Sequence, residues 1–216
     1  QARLTATSVL QSRKSEQTFT QILAEGVVYL PLGPGPVKVK YVKKEVSIEK
    51  NTDFRFLYPA NVSYLRPEFS DNSSQLKKMN NFLQQISNNP DYKIEQIVIT
   101  SYCSPDGSYA YNQRLANKRV LNFIHDLGFP DMKIEFKTVP YDWQGLAAAV
   151  EKSNLSDKMT VLSIIRSNRN DIQRISALRQ SHNYHYLLTH IYPRLQRTVC
   201  DIQYTIKEMQ TVPVPE

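Results

Sequence analysis

Residues 97–119, IVITSYCSPDGSYAYNQRLANKR, constrain this chain more than any other stretch of it. A β-branched run from Ile97 to Thr100 ends in a Ser/Pro/Asp/Gly turn and opens directly into an amphipathic segment carrying Asn112, Leu115 and Arg119. That pattern reads as strand, loop and helix. A loop of this kind gathers polar groups at a helix N-terminus, where backbone N–H groups and the helix dipole attract anions. The same Ser104-Pro105-Asp106-Gly107 also suits a plain turn and helix cap, with Ser or Asp capping and Pro stiffening the start. Arg119 likewise suits an internal ion pair with Asp106 or another acid, and Asn112 a tie between loop and helix.

The flanking sequence alternates strand and helix patterns. Before Pro59 it is β-rich: Val27–Leu30, a turn over Pro31–Pro36, then Val37, Val39 and Tyr41 alternating with Lys38 and Lys40, and Val46 and Ile48 alternating with glutamates and Ser47. Val62–Leu65 reads as a strand, and Leu76, Met79, Leu83 and Ile86 recur at helical spacing after a cap at Asp71 or Ser73. Ile94–Thr100 is a strand. The helix after the SPDG turn stops at Gly128, and Ile134–Val139 is a further strand. Helical faces dominate from Asp142 to Pro193, and Thr198–Ile206 alternates as a closing strand. The expected fold is α/β: a mixed β-sheet with a βαβαβ core covered by helices, preceded by a β-rich N-terminal segment. Its expected divisions are a flexible lead-in over 1–25, the β-rich segment over 26–58, the main domain over 59–208 and a frayed tail over 209–216.

Composition removes several classes of function. No apolar run approaches the roughly 18 residues of a membrane span, and Gln1-Ala2-Arg3-Leu4 is no signal peptide, although opening on Gln suggests that a leader has been removed. The net charge of +7 favours anionic partners. Its lysines and arginines are scattered and no nucleic-acid fingerprint appears, which points to a solvated basic surface and not to nucleic acid. Cys103 and Cys200 are too few for a disulfide framework or a four-ligand zinc site; both suit buried apolar positions, with a bridge between them left open. His125, His182, His185 and His190 lack metalloprotease spacing, and six glycines form no nucleotide-binding loop or nucleophile elbow. No enzyme, cofactor or metal is expected.

The order of elements and the loop together resemble the OmpA-like C-terminal domain, a peptidoglycan-associating module. Its signature, roughly G-Y/H-T-D-S-x-G-S-x-x-Y-N-x-x-L-S-x-x-R-A, is matched without gaps by Ser101 to Gly107, Ser108, Tyr111-Asn112, Leu115-Ala116 and Arg119-Val120. A divergent branch with an S-P-E-G loop, in envelope and fimbria-associated proteins of Bacteroidetes, is closer still. Phe56-Leu57-Tyr58-Pro59-Ala60-Asn61, Asp142-Trp143-Gln144-Gly145-Leu146 and Tyr192-Pro193-Arg194-Leu195-Gln196-Arg197 resemble its segments.

The resemblance implies a non-catalytic module of the cell envelope, at the periplasmic face of the outer membrane or on the surface. Its implied partner is peptidoglycan or another anionic envelope polymer, with an outer-membrane or fimbrial protein as a further partner. In the family an Asp and an Arg clamp the diaminopimelate of a stem peptide, since a zwitterion needs an acceptor for its ammonium and a forked cation for its carboxylate. Arg119 occupies the Arg position, but the Asp position is Ser104. Losing a charge-assisted partner costs about 1.5–3 kcal/mol, so stem-peptide binding is expected to be weakened, re-ligated through Asp106, or absent. The implied ligand set is Tyr102, Ser104, Asp106, Asn112 and Arg119. The alternative is a structural or assembly component of a surface appendage or outer-membrane complex, in which the pocket has been retired.

Overall fold

The computed structural model describes residues 2–12, 15–26, 39–128 and 133–215. The chain divides into two compact units, Gln1–Lys44 with Thr211–Glu216, and Glu45–Gln210.

In the first unit, β1 (Ala2–Ser12) and β2 (Ser15–Gly26) pair antiparallel, from Ala2↔Gly26 to Ser12↔Ser15, with a register shift between Leu4 and Thr5. Of the stretch expected as a flexible lead-in over 1–25, the described residues 2–12 and 15–25 lie in this strand pair. Its residues are β-formers facing one another, Thr5 opposite Ile22 and Thr7 opposite Thr20. Thr5, Ala6, Thr7, Thr18, Thr20, Gln21 and Ile22 are all exposed, so no inside-outside alternation marks the strands in sequence. The strand and turn expected over 27–36 lie outside the described residues.

The second unit holds a four-stranded mixed sheet in the order β3-β6-β4-β5. Its strands are β4 (Tyr92–Tyr102), β5 (Ile134–Val139) and, as far as they fall within Glu45–Gln210, β3 (Val39–Leu57) and β6 (Arg197–Pro215). β4 runs parallel to β5 and antiparallel to β6. Tyr58 N–H bonds the Gln196 carbonyl while Lys50 pairs with Glu208, so β3 and β6 also run in opposite directions. Helices α1 (Asn72–Ser87) and α2 (Tyr109–Leu127) press Met79, Val120 and Phe123 onto Phe54, Phe56, Ile97, Ile99, Cys200 and Ile202. A second core joins α3 (Trp143–Glu151), α4 (Lys158–Ile165), α5 (Asp171–Gln180), α6 (Tyr184–Tyr186) and α7 (Tyr192–Leu195) through Leu146, Val150, Val161, Leu178, Leu187 and Ile191. Between α6 and α7, Leu187–Ile191 widens into a π-helical turn just ahead of Pro193.

β3 ends at Leu57, and Phe54, Phe56 and Tyr58 lie in the core. Two segments differ from expectation. Val62–Leu65 is not a strand but an irregular segment begun by a turn, with Val62 N–H on the Pro59 carbonyl. The tail is strand as far as Pro215.

Candidate functional site

The five residues of the implied ligand set meet where β4 ends and α2 begins. Ser108 caps α2, accepting from Tyr111 N–H at 3.3 Å, so neither Ser104 nor Asp106 is the cap. Ser104 Oγ instead donates to Asp106 Oδ1 at 2.8 Å. Asn112, 3% exposed, donates from Nδ2 to the carbonyls of Ser104 (2.8 Å) and Pro140 (2.9 Å), tying the loop to the helix and to the end of β5. Gly107 is required here: a Cβ on it would stand 2.7 Å from Asn112 Oδ1.

Arg119 has no exposed surface. Its Nε donates to Val62 O at 2.9 Å, Nη1 to Gln196 Oε1 at 2.7 Å and Tyr102 O at 3.3 Å, and Nη2 to Pro59 O at 3.4 Å. The guanidinium also lies over the Tyr58 ring, 4.8 Å from its centroid. Among the described residues no carboxylate pairs with it, so carbonyl dipoles and a ring face take the place of an ion pair. Burial lowers its pKa from the ordinary arginine value and pushes the Tyr58 phenol up to about 12. The fork that the resemblance offers to a ligand thus points at this protein's own backbone.

Sequence reasoning missed Gln196, which bridges the site. Its Oε1 accepts from Arg119 while its Nε2 donates to Ser104 Oγ at 2.6 Å, across 92 positions of chain. It also missed Arg197, which lies 3.9 Å over the Tyr102 ring and pairs with the buried Asp142. Arg179, on α5, bonds the Asp106 carbonyl. On the outer side of the loop a cavity of about 380 Å³ is lined by Gly107, Ser108, Ile172, Ile175, Ser176 and Arg179.

The remaining candidate chemistry is dispersed. The four histidines are exposed, and among the described residues no three His, Cys, Asp or Glu side chains group as a metal site. No described helix is long and apolar enough to cross a membrane. Both cysteines are free and buried, so the bridge left open is not formed; Cys200 lies opposite Ile99, four residues before Cys103. Burial pushes Cys103 up to about 11 and Cys200 to about 12.

A pH dependence follows from those thiols. An unfolded thiol ionises near pH ~8.5. The folded values are higher, so the stability that the thiols contribute is whole below that pH and is lost as pH rises toward their folded values. Denaturation midpoints are expected to be level from pH 7 to 8 and to fall above pH ~9, less steeply in Cys103→Ala. A disulfide-exchange reagent at pH 8 should find no reactive thiol until the chain unfolds. Prompt reaction of the native protein would contradict this burial.

No protein-family model matches the sequence, and no curated protein matches it. Among solved structures, the chain is similar to the OmpA-like domain of FopA1 from Francisella tularensis subsp. tularensis SCHU S4. Identity is 13% and the TM-score 0.36, over 87% of this chain and 99% of that one. So distant a likeness transfers no residue roles; the α/β class rests on the strands and helices described above.

Proposed function

We propose that this chain is a non-catalytic module of the cell envelope, associated with the outer membrane, whose SPDG loop is an internal clasp. Its role is then structural: a component of an outer-membrane complex or surface appendage that docks a protein partner. The agreements around Tyr58-Pro59, Trp143 and Tyr192-Pro193 support descent from the fimbria-associated branch of OmpA-like proteins. One observation supports the clasp above all others: Arg119 is unexposed, with donors on Val62, Tyr102, Gln196 and Pro59. Gln196 offers that cation an oxygen and offers Ser104 an N–H, the two contacts a zwitterionic ligand would otherwise supply.

A second reading keeps peptidoglycan association through Tyr102, Ser104, Asp106, Asn112 and Arg119. It is favoured by the position of Gln196, since rotation of that single side chain would release Arg119 Nη1 and Ser104 Oγ from it together, with the carbonyls of Val62, Tyr102 and Pro59 still holding the rest of the guanidinium. Calorimetric titration of the whole chain with meso-diaminopimelate, and with a stem peptide containing it, separates the two. The clasp predicts no saturable heat at millimolar ligand for the wild-type protein. Saturable binding that Asp106→Ala weakens would replace the clasp with the peptidoglycan reading.

A further inference from the structure

β5 closes one side of the four-stranded sheet: it pairs with β4 and, among the described residues, with nothing on its other side. The β4–β5 ladder shows which groups that leaves. Ile97 N–H donates to the Lys133 carbonyl and Cys103 N–H to the Val139 carbonyl, in a parallel register from Ile97↔Ile134 to Tyr102↔Val139. Backbone groups of Glu135 and Lys137 therefore turn toward β4, and those of Ile134, Phe136 and Thr138 turn outward. Proteins blunt such an edge with a very short strand, proline, bulges or charged side chains, lysine above all. Ile134–Val139 has no proline and no register shift, and the charge of Lys137 is matched by Glu135 at 3.1 Å.

The side chains there are also unfinished. Phe136, central in β5, is 57% exposed. On the same face α2 passes above, with Gln113 Nε2 donating to Thr138 Oγ1 at 2.6 Å; Leu121, two turns further along that line of the helix, is 60% exposed. An aromatic ring, a leucine and a row of open backbone groups thus share one edge.

We propose that this edge is an interface with a second copy of the chain, β5 pairing antiparallel with β5 about a two-fold axis at Phe136. Symmetry makes the strand's own sequence the test of fit. Centring on Phe136 sets Ile134 opposite the second copy's Thr138, so every outward N–H meets an outward C=O. It sets Glu135 opposite the second copy's Lys137, and Lys137 opposite the second copy's Glu135. These are non-hydrogen-bonded positions, where facing side chains come closest and opposite charges stabilise a pair. Moving the axis one position toward the N-terminus opposes glutamate to glutamate, and one position toward the C-terminus opposes lysine to lysine. Of these three registers charge favours the one centred on Phe136, in which the β5 strands of two copies that each carry +7 meet without like charges opposed. The inference stands independently of how the SPDG loop is read.

Sedimentation equilibrium of the full chain, from micromolar to near-millimolar, tests it. Reversible dimerisation is expected. Glu135→Lys should weaken it at least about tenfold, by facing two cations across the axis. Glu135→Lys combined with Lys137→Glu should restore it, because the swapped charges again alternate. Phe136→Pro removes an N–H that points away from β4 together with the exposed ring, so it should abolish dimerisation while circular dichroism stays unchanged. A chain that stays monomeric throughout the range would overturn the proposal. So would a dimer that neither charge reversal nor charge swap moves; that comparison decides the matter even where the proline variant fails to fold.

Discussion

Arg119→Ala is expected to remove about 3–5 kcal/mol of folding stability, a loss on the scale of breaking a buried charged cluster. For a chain of this size that lowers the melting temperature by roughly 6–20 °C. The cause is what the guanidinium joins. Val62 belongs to the irregular segment before α1, Tyr102 ends β4, and Gln196 directly precedes β6; all three give an oxygen to this one side chain. Truncation leaves those oxygens buried without donors, at about 1–3 kcal/mol for each that water cannot reach. It also opens a void beside Tyr58 and Phe123. Arg119→Lys should recover little, because a single ammonium on a flexible stem cannot reach all three acceptors. Thermal denaturation followed by circular dichroism is the measurement. A melting temperature within a degree or two of wild type would mean that the side chain is free to serve a ligand, and the clasp would be wrong.

That Arg119 is wholly buried is not legible in its own stretch of sequence. A charged residue on a helix is by default at the surface, and nothing within a few positions of Arg119 signals burial. Its acceptors lie 57 and 77 positions away, at Val62 and Gln196. Two of its contacts are backbone carbonyls of irregular chain, which no side-chain pattern encodes. Gln196 is unreadable for the same reason: a glutamine before a strand carries no local mark of joining Ser104 to Arg119. Val62–Leu65 has the composition of a short strand, with Val62, Tyr64 and Leu65, but its chain is irregular and turns the Val62 carbonyl toward a cation instead.

What local chemistry determines was legible. The stop of α2 follows from Gly128, which takes the left-handed φ of 56°; its start was legible only to within a turn, since the cap is Ser108, whose hydroxyl accepts the Tyr111 N–H, and not Ser104 or Asp106. The apolar spacing of Met79 and Ile86 in α1 correctly marked its buried face. Sheet order was legible only in outline, because β6 inserts between β3 and β4 from the far end of the sequence. The opening strand pair was missed because its described side chains are exposed on both faces, so the period-two signal that betrays a half-buried strand is missing.

Asp142→Ala should be nearly as damaging, at about 3–5 kcal/mol, because it strands a buried cation. Asp142 is 3% exposed. Its Oδ1 accepts the Gly145 N–H at 2.8 Å, capping α3, and its own N–H donates to the Cys103 carbonyl at 3.0 Å. Its Oδ2 holds Arg197, whose side chain is only 12% exposed and lies flat on Tyr102. Gly145 is part of the arrangement, since a Cβ there would fall 2.0 Å from that oxygen. Losing the cap costs about 0.5–2 kcal/mol, and the unpaired Arg197 accounts for the rest. The two parts separate by substitution. Asp142→Asn keeps an oxygen for Gly145 and should lose mainly the ion pair, while Asp142→Ala combined with Arg197→Met removes the stranded charge and should regain most of the stability. Chemical denaturation of the set gives the coupling energy between the two residues directly. Additive losses would mean that Arg197 is held by Tyr102 and the surrounding chain and draws nothing from Asp142.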